Sequence, residues 1–433
     1  MKEFDKIPVT KVQRATKFIK TGARIGGNYL KHYSKRLVNG DTSREALHED
    51  NAKDIYNSLS ELKGSALKVA QMLSMDRSLL PKAYQQKFAM AQYSAPPLSY
   101  PLVVRIFQQS FGKKPEDLFD TFTRQATNAA SMGQVHKATK DGKTYAVKIQ
   151  YPGISDTVKS DLAMVKPIAL SMFNINPVEY AEFIQEVEQR LMEETDYQLE
   201  LNRSIDLSER CSHIPGLRFP TYYPELSSGK VLTMDWLEGQ PLGAVLGGKL
   251  PAEARQSIGQ AMWDFYHFQM HTLKQVHADP HPGNFIITPD HQLGVIDFGC
   301  VKVIPDNFHK TYFRLLERDL MNHPAKLEEV FFQLKFIQPS DTAKERAFFV
   351  NLFTELVELL SRPFTDETFD FSDDSYFETL YAFGEKLTTM PELRKSKQAR
   401  GVKDALYINR TYFGIYSIMH ELRAVIRTGS VKL

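Results

Sequence analysis

Three oxygen-bearing side chains fall at the two ends of one predicted hairpin. The stretch from Gln275 to Gly299 contains H-A-D-P-H-P-G-N, with Asp279 and Asn284, then two short apolar runs, then D-F-G with Asp297. The runs Phe285–Ile287 and Leu293–Ile296 flank a Pro-Asp turn signal, which predicts a β-hairpin. A carboxylate that orients an attacking hydroxyl, together with an amide and a second carboxylate that hold Mg²⁺, is the set that phosphoryl transfer requires. Asp-x4-Asn alone would be a weak signal. His277 two residues before Asp279, and Asp-Phe-Gly after the second strand, make it specific.

A cation for the phosphates of ATP is predicted upstream. Asp141-Gly142 separates two alternating runs, a hairpin signal, and Lys148 lies in the second run, A-V-K-I. The preceding loop reads Asn128-Ala129-Ala130-Ser131-Met132-Gly133. Its backbone N–H groups can wrap phosphates. One glycine stands where a kinase loop carries three, and alanine lacks glycine's freedom at positive φ, so the loop is expected to be stiff. Further on, V-L-T-M-D-W-L-E-G reads as a strand followed by breakers. By position, the Asp235 carbonyl and Leu237 amide would meet adenine, with Met234 lining the pocket.

The elements that position these groups follow from periodicity. Residues 1–37 carry about ten Lys and Arg against two acids. Val12, Ala15, Phe18 and Ile19 recur at helical spacing among Lys11, Arg14, Lys17 and Lys20, a pattern that can lie on an anionic membrane surface. A second helix is expected from about Glu45 to Ser74, with Lys68 and Gln71 three apart on one side; read alone, that pair is a solvated edge. Helices are also expected over Leu102–Phe111 and, as one long acidic element, over Val178–Arg203. Glu194, Asp196 and Glu200 on the latter are all candidates to meet the two lysines. Ile258, Met262, Phe265 and Phe268 form an apolar stripe leading into the catalytic hairpin, which reads as core.

Composition sets the class. With 433 residues, 42% hydrophobic and 24% charged, the chain is long enough for two or three globular domains. The net charge of +2 implies no nucleic-acid partner. Cys211 and Cys300 offer neither metal spacing nor a disulfide framework, which suits a cytoplasmic protein, at most peripheral to a membrane. No stretch approaches a spanning helix, and the N-terminus has no apolar signal region. No A-P-E sequence follows D-F-G, so the platform on which protein kinases dock peptides is not expected.

Taken together, N-A-A-S-M-G-Q-V-H, A-V-K-I-Q-Y-P-G, E-T-D-Y, H-A-D-P-H-P-G-N and D-F-G resemble the UbiB-type atypical kinase family, which is linked to isoprenoid-quinone biosynthesis and lipid metabolism. The resemblance covers about Asn51 to Lys302. It implies an α+β, protein-kinase-like bilobal fold: an N-terminal helical extension (1–115), an N-lobe of sheet plus acidic helix (116–238) and a helical C-lobe (239–433). It implies ATP and Mg²⁺ as cofactors. It turns Lys68 and Gln71 into a lid over the active site, in a K-x-A-Q version of the family's K-x-G-Q. It places Glu194 and Asp196 near Lys68, and Glu200 with Lys148. Asp279 would orient or deprotonate the acceptor, His281 would neutralise developing charge if protonated, and Asn284 and Asp297 would hold the metal. Three activities stay open: phosphoryl transfer to water or a small-molecule or lipid acceptor, a non-catalytic nucleotide-binding module organising a biosynthetic complex, and an ordinary protein kinase. The intact Lys148, Asp279, Asn284 and Asp297 favour the first.

Overall fold

The structure is a computed structural model, which describes residues 97–129, 132–172, 178, 181–247, 249–317, 319–395 and 400–429. Lys68, Gln71, Ala130, Ser131 and the basic N-terminal stretch lie outside the described residues. The architecture is α+β. Contacts divide the chain into two compact units.

The first unit reaches Asn202 and also takes in Thr221–Trp236 and Leu387–Lys397. Its helix α1 (Tyr100–Phe111) starts with proline in its first turn and ends at Gly112, whose φ of 68° supplies the left-handed cap. Helix α2 (Pro115–Leu118) leads to strands β1 (Thr121–Phe122), β2 (Asn128–Ala129), β3 (Gly133–Lys140) and β4 (Lys143–Gln150). Helices α3 (Ile154–Met172), α4 (Ala181–Glu194) and α5 (Tyr197–Cys211) follow, the last running on into the second unit. The β3–β4 hairpin turns at Asp141-Gly142, both at positive φ, as that dipeptide predicts. The sheet order is β1-β3-β4-β6, with β2 on β3 and β6 spanning Val231–Asp235. Phe107, Val147, Ile149, Tyr151 and Val158 are among its core residues.

The expected single helix over Val178–Arg203 is two helices. The chain breaks at Thr195–Asp196 because Asp196 turns its carboxylate onto the next helix: Oδ1 accepts from Gln198 N at 3.1 Å and Leu199 N at 3.0 Å. Thr195 Oγ1 donates to the Met192 carbonyl at 2.7 Å and closes the preceding one. An aspartate in the middle of an acidic run acts here as a helix N-cap.

The second unit holds Arg203–Pro220, Leu237–Lys386 and Gln398–Leu433. Among the described residues its largest sheet is four-stranded, in the order β5-β10-β9-β7. These are β5 (Leu217–Arg218), β7 (Gln240–Pro241), β9 (Phe285–Ile287) and β10 (Leu293–Val295). Helix α6 (Leu242–Val245) and α7 (Ala252–His267) come between β7 and β9; α7 runs into a π-helical segment, Phe268–Leu273, and then β8 (Gln275–His277). Strand β11 (Val301–Val303) pairs with β8. Helices α8 (Asp306–Phe313), α9 (Pro324–Gln333) and α10 (Ala343–Ser361), strand β12 (Thr368–Asp370), helices α11 (Asp374–Thr389), α12 (Pro391–Lys395) and α13 (Lys403–Leu422), and strand β13 (Val425–Arg427) complete the chain. The predicted stripe of Ile258, Met262 and Phe265 is buried in the core with Trp263, Phe285, Phe298 and Tyr416. No helix among the described residues is long and apolar enough to cross a membrane.

Candidate active site

In the first unit, Lys148 sits in β4 between Val135 of β3 and Leu232 of β6. Its Nζ meets Glu200 Oε1 at 2.7 Å, with side chains 11% and 3% exposed. Glu200 lies in the first turn of α5, where the helix dipole favours a carboxylate. A buried pair of this kind is held by geometry and further hydrogen bonds, since desolvation offsets most of the Coulomb gain. The Lys148 ammonium also lies 5.2 Å from the centre of the Tyr197 ring. Glu194 is buried at the end of α4, and exposed Asp196 serves as the cap described above.

Tyr197 has a second role. A Cβ on Gly133 would fall 2.4 Å from the Ile149 carbonyl oxygen and 2.5 Å from Tyr197 Oη. Gly133 is therefore glycine for close approach, at the start of β3. Met132 is buried, and its carbonyl accepts from Tyr151 N at 3.0 Å. Ala129 is in β2 opposite Gln134. Met234 packs with Tyr197, Leu201, Tyr222 and Leu232. Asp235 accepts from Tyr223 Oη at 2.7 Å and Thr221 N at 3.0 Å. Burial raises the pKa of that carboxyl, but these hydrogen bonds outweigh it and hold the group below its ordinary value. Leu237 opens the second segment of the second unit and reaches over Gly294.

In the second unit the H-A-D-P-H-P-G-N loop, the candidate catalytic loop, joins β8 to β9. His277 anchors it: the ring Nδ1 is 2.9 Å from Tyr266 Oη, and the backbone N–H donates to Gln269 Oε1 at 2.9 Å. Asp279 is 5% exposed. Arg410 Nη2 donates to its Oδ1 at 2.6 Å, and its carbonyl accepts from His281 N at 2.7 Å and Asn284 Nδ2 at 2.9 Å. The last bond fixes the Asn284 amide, so its oxygen is the atom that can ligate a cation. Asp297 Oδ1 accepts from Gly299 N at 2.9 Å, and Phe298 is buried against Phe219, Phe265 and His277.

His281 makes its own contact within this loop. Its Nδ1 accepts from Gly283 N at 3.0 Å, which needs a lone pair on that nitrogen. An imidazolium carries protons on both nitrogens and would break the bond.

An amide oxygen and a carboxylate are hard ligands of the kind Mg²⁺ takes, the remaining positions falling to substrate phosphates and water. No cage of three or more His, Cys, Asp or Glu exists among the described residues, and a Mg-nucleotide site does not need one. Sequence reasoning missed Arg410 and gave no role to Tyr197. Tyr197 had a signal, since Asp196 before it is a readable N-cap that places Tyr197 and Glu200 on the first turn of a helix.

Comparison with known proteins points the same way. Residues 90–330 match the model of the ABC1 atypical kinase-like domain. The chain is 27% identical to the mitochondrial atypical kinase COQ8B of Rattus norvegicus, over 83% of this chain and 69% of that protein. It is 27% identical to an ABC1 family protein of Schizosaccharomyces pombe over 69% of this chain, and spans only 57% of that relative's length. The structure of Rv3197 from Mycobacterium tuberculosis in complex with erythromycin matches with a TM-score of 0.58 at 27% identity, covering 89% of this chain and 96% of that one. The chain belongs to the ABC1 atypical kinase family, the UbiB family.

Proposed function

We propose that this protein is a Mg-ATP-dependent phosphotransferase or ATPase that delivers the γ-phosphoryl group to water or to the hydroxyl of a small molecule or lipid, in support of quinone or lipid metabolism. The observation that supports the reading is the bond from the Asn284 side-chain amide to the Asp279 carbonyl, which holds an acid and an amide in one turn. In this reading the two units are the lobes of a kinase-like bilobal fold. Lys148, aimed by Glu200, binds the α- and β-phosphates. The A-A-S-M-G loop, Ala129 to Gly133, covers them with backbone N–H groups. Met234, Asp235 and Leu237 take adenine. Asn284 and Asp297 would hold Mg²⁺, which when bound neutralises charge on the β- and γ-oxygens. Asp279 orients the acceptor hydroxyl and receives its proton.

Lys68 and Gln71, with Glu194 and Asp196, belong to this reading as a lid that favours a small acceptor over a peptide. The basic segment near Lys11–Lys20 belongs to it as a peripheral contact with anionic lipid. The test is turnover of ATP labelled in the γ-phosphate by purified protein with Mg²⁺, with and without anionic vesicles and phenol-type quinone precursors. Release of labelled phosphate, or its appearance on a precursor or lipid, supports the reading. Tight nucleotide binding with no turnover in any condition replaces it with a non-catalytic nucleotide-binding module.

A further inference from the structure

Resting on the phosphoryl-transfer reading, we infer that Arg410 and Gly414 of α13 form a positioning device for the catalytic loop, supplying from a distant helix the arginine that the loop itself lacks. The kinase template H-R-D carries its arginine next to the catalytic acid. Here the corresponding residue is Ala278, fully buried and packed with Cys300 and Tyr407. No cation at that position can steady the loop.

Helix α13 provides one. Arg410 lies four residues before Gly414, so both face the same side of the helix. Arg410 grips Asp279 at 2.6 Å, and both side chains are withdrawn from water, at 9% and 7% exposure. At Gly414 a Cβ would sit 2.3 Å from Pro280 Cγ and 3.2 Å from the Pro280 carbonyl oxygen. Glycine lets the helix backbone press on the residue that follows Asp279. The same helix reaches β11, just beyond D-F-G: Asp404 pairs with Lys302 at 2.6 Å, and Lys302 lies 5.2 Å from the Tyr407 ring centre. Residues 404, 407, 410 and 414 thus hold the catalytic loop and the strand after D-F-G from one helix face. In protein kinases the corresponding order is imposed by a phosphorylated activation segment. In this chain the C-terminal helix imposes it without modification.

The test uses the full chain and the variants Arg410→Ala, Arg410→Lys and Gly414→Ala. Amide hydrogen exchange across residues 277–284 reads the loop directly and needs no turnover. Exchange there should rise in Arg410→Ala and Gly414→Ala while the β3–β4 hairpin exchanges at the wild-type rate. With Mg-ATP, Arg410→Ala should lose about 100-fold in kcat, in the range set by general acid–base groups. Its KM for ATP should change little, Arg410→Lys should retain part of the rate, and millimolar guanidinium should restore part of it to Arg410→Ala. Wild-type exchange in the loop of both Arg410→Ala and Gly414→Ala overturns the inference. So does a kcat loss matched by a loss of ATP affinity that neither lysine nor guanidinium relieves. If the wild type turns over no ATP, phosphoryl transfer fails as a reading, and the exchange arm still decides the positioning role. If Arg410→Ala does not fold, Gly414→Ala and Arg410→Lys carry the same comparison.

Discussion

Arg410 and Asp279 are separated by 131 residues of sequence, yet their side chains form a buried ion pair at 2.6 Å. The pair ties helix α13 to the acid of the candidate catalytic loop. A carboxylate only 5% exposed would be costly without a cation, and the guanidinium offsets that cost while fixing the carboxylate's direction. The loop is then braced twice more, by the Tyr266–His277 and Gln269–His277 bonds, so that Asp279 sits on a fixed support.

The Lys148–Glu200 pair should behave as one unit. Lys148→Met leaves Glu200 buried without its cation and should lower the unfolding free energy by about 3 kcal/mol in urea titration. Glu200→Leu should cost a similar amount. The double variant should cost clearly less than the sum of the two. Strict additivity in this cycle would show that the pair is not coupled.

Gly133→Ala should destabilise the first unit by about 1–3 kcal/mol, the usual cost of forcing extra volume into a packed site. The added methyl meets the Ile149 carbonyl, which is backbone, so trimming Tyr197 as well should not restore stability. A melting temperature equal to wild type in Gly133→Ala would contradict the close approach.

Acid should weaken the second unit through His267 and His271. Burial pushes His267 down to about 4, and burial with two neighbouring imidazoles pushes His271 down to about 3. Their ordinary value is 6.5, so the unfolded chain binds more protons as pH falls below it. Stability from these groups is complete above about pH 7 and is lost as pH drops from about 6.5 towards 4 for His267 and towards 3 for His271. His267→Phe keeps the stacking surface on Trp263 and removes one titration. Its melting temperature should fall less than the wild type's between pH 7 and 5. Parallel curves for the two proteins would refute this.

Local signals made the sequence readable where structure is local. Pro289-Asp290 between two apolar runs predicted β9 and β10 nearly to the residue, and Asp141-Gly142 predicted the turn between β3 and β4. The Val178–Arg203 helix was misread because periodicity continues through Asp196, while capping by its side chain interrupts the backbone. The pairing of Lys148 was open on periodicity alone, since Glu194, Asp196 and Glu200 share one acidic stretch; the break at Thr195 sends the first to one helix and the last to another. Arg410 was not legible at all. An arginine on an amphipathic helix normally faces water, and only the fold carries this one to Asp279.

The most direct measurement of the central claim is Mg²⁺-dependent ATP binding and hydrolysis by the wild type and by Asp297→Asn, with the fold of both checked by circular dichroism. Phosphoryl transfer through Asn284 and Asp297 predicts that Mg²⁺ tightens nucleotide binding in the wild type. It predicts that Asp297→Asn abolishes this tightening and lowers turnover by about 100-fold or more. Equal Mg-ATP affinity and equal turnover in a folded Asp297→Asn protein would contradict the account.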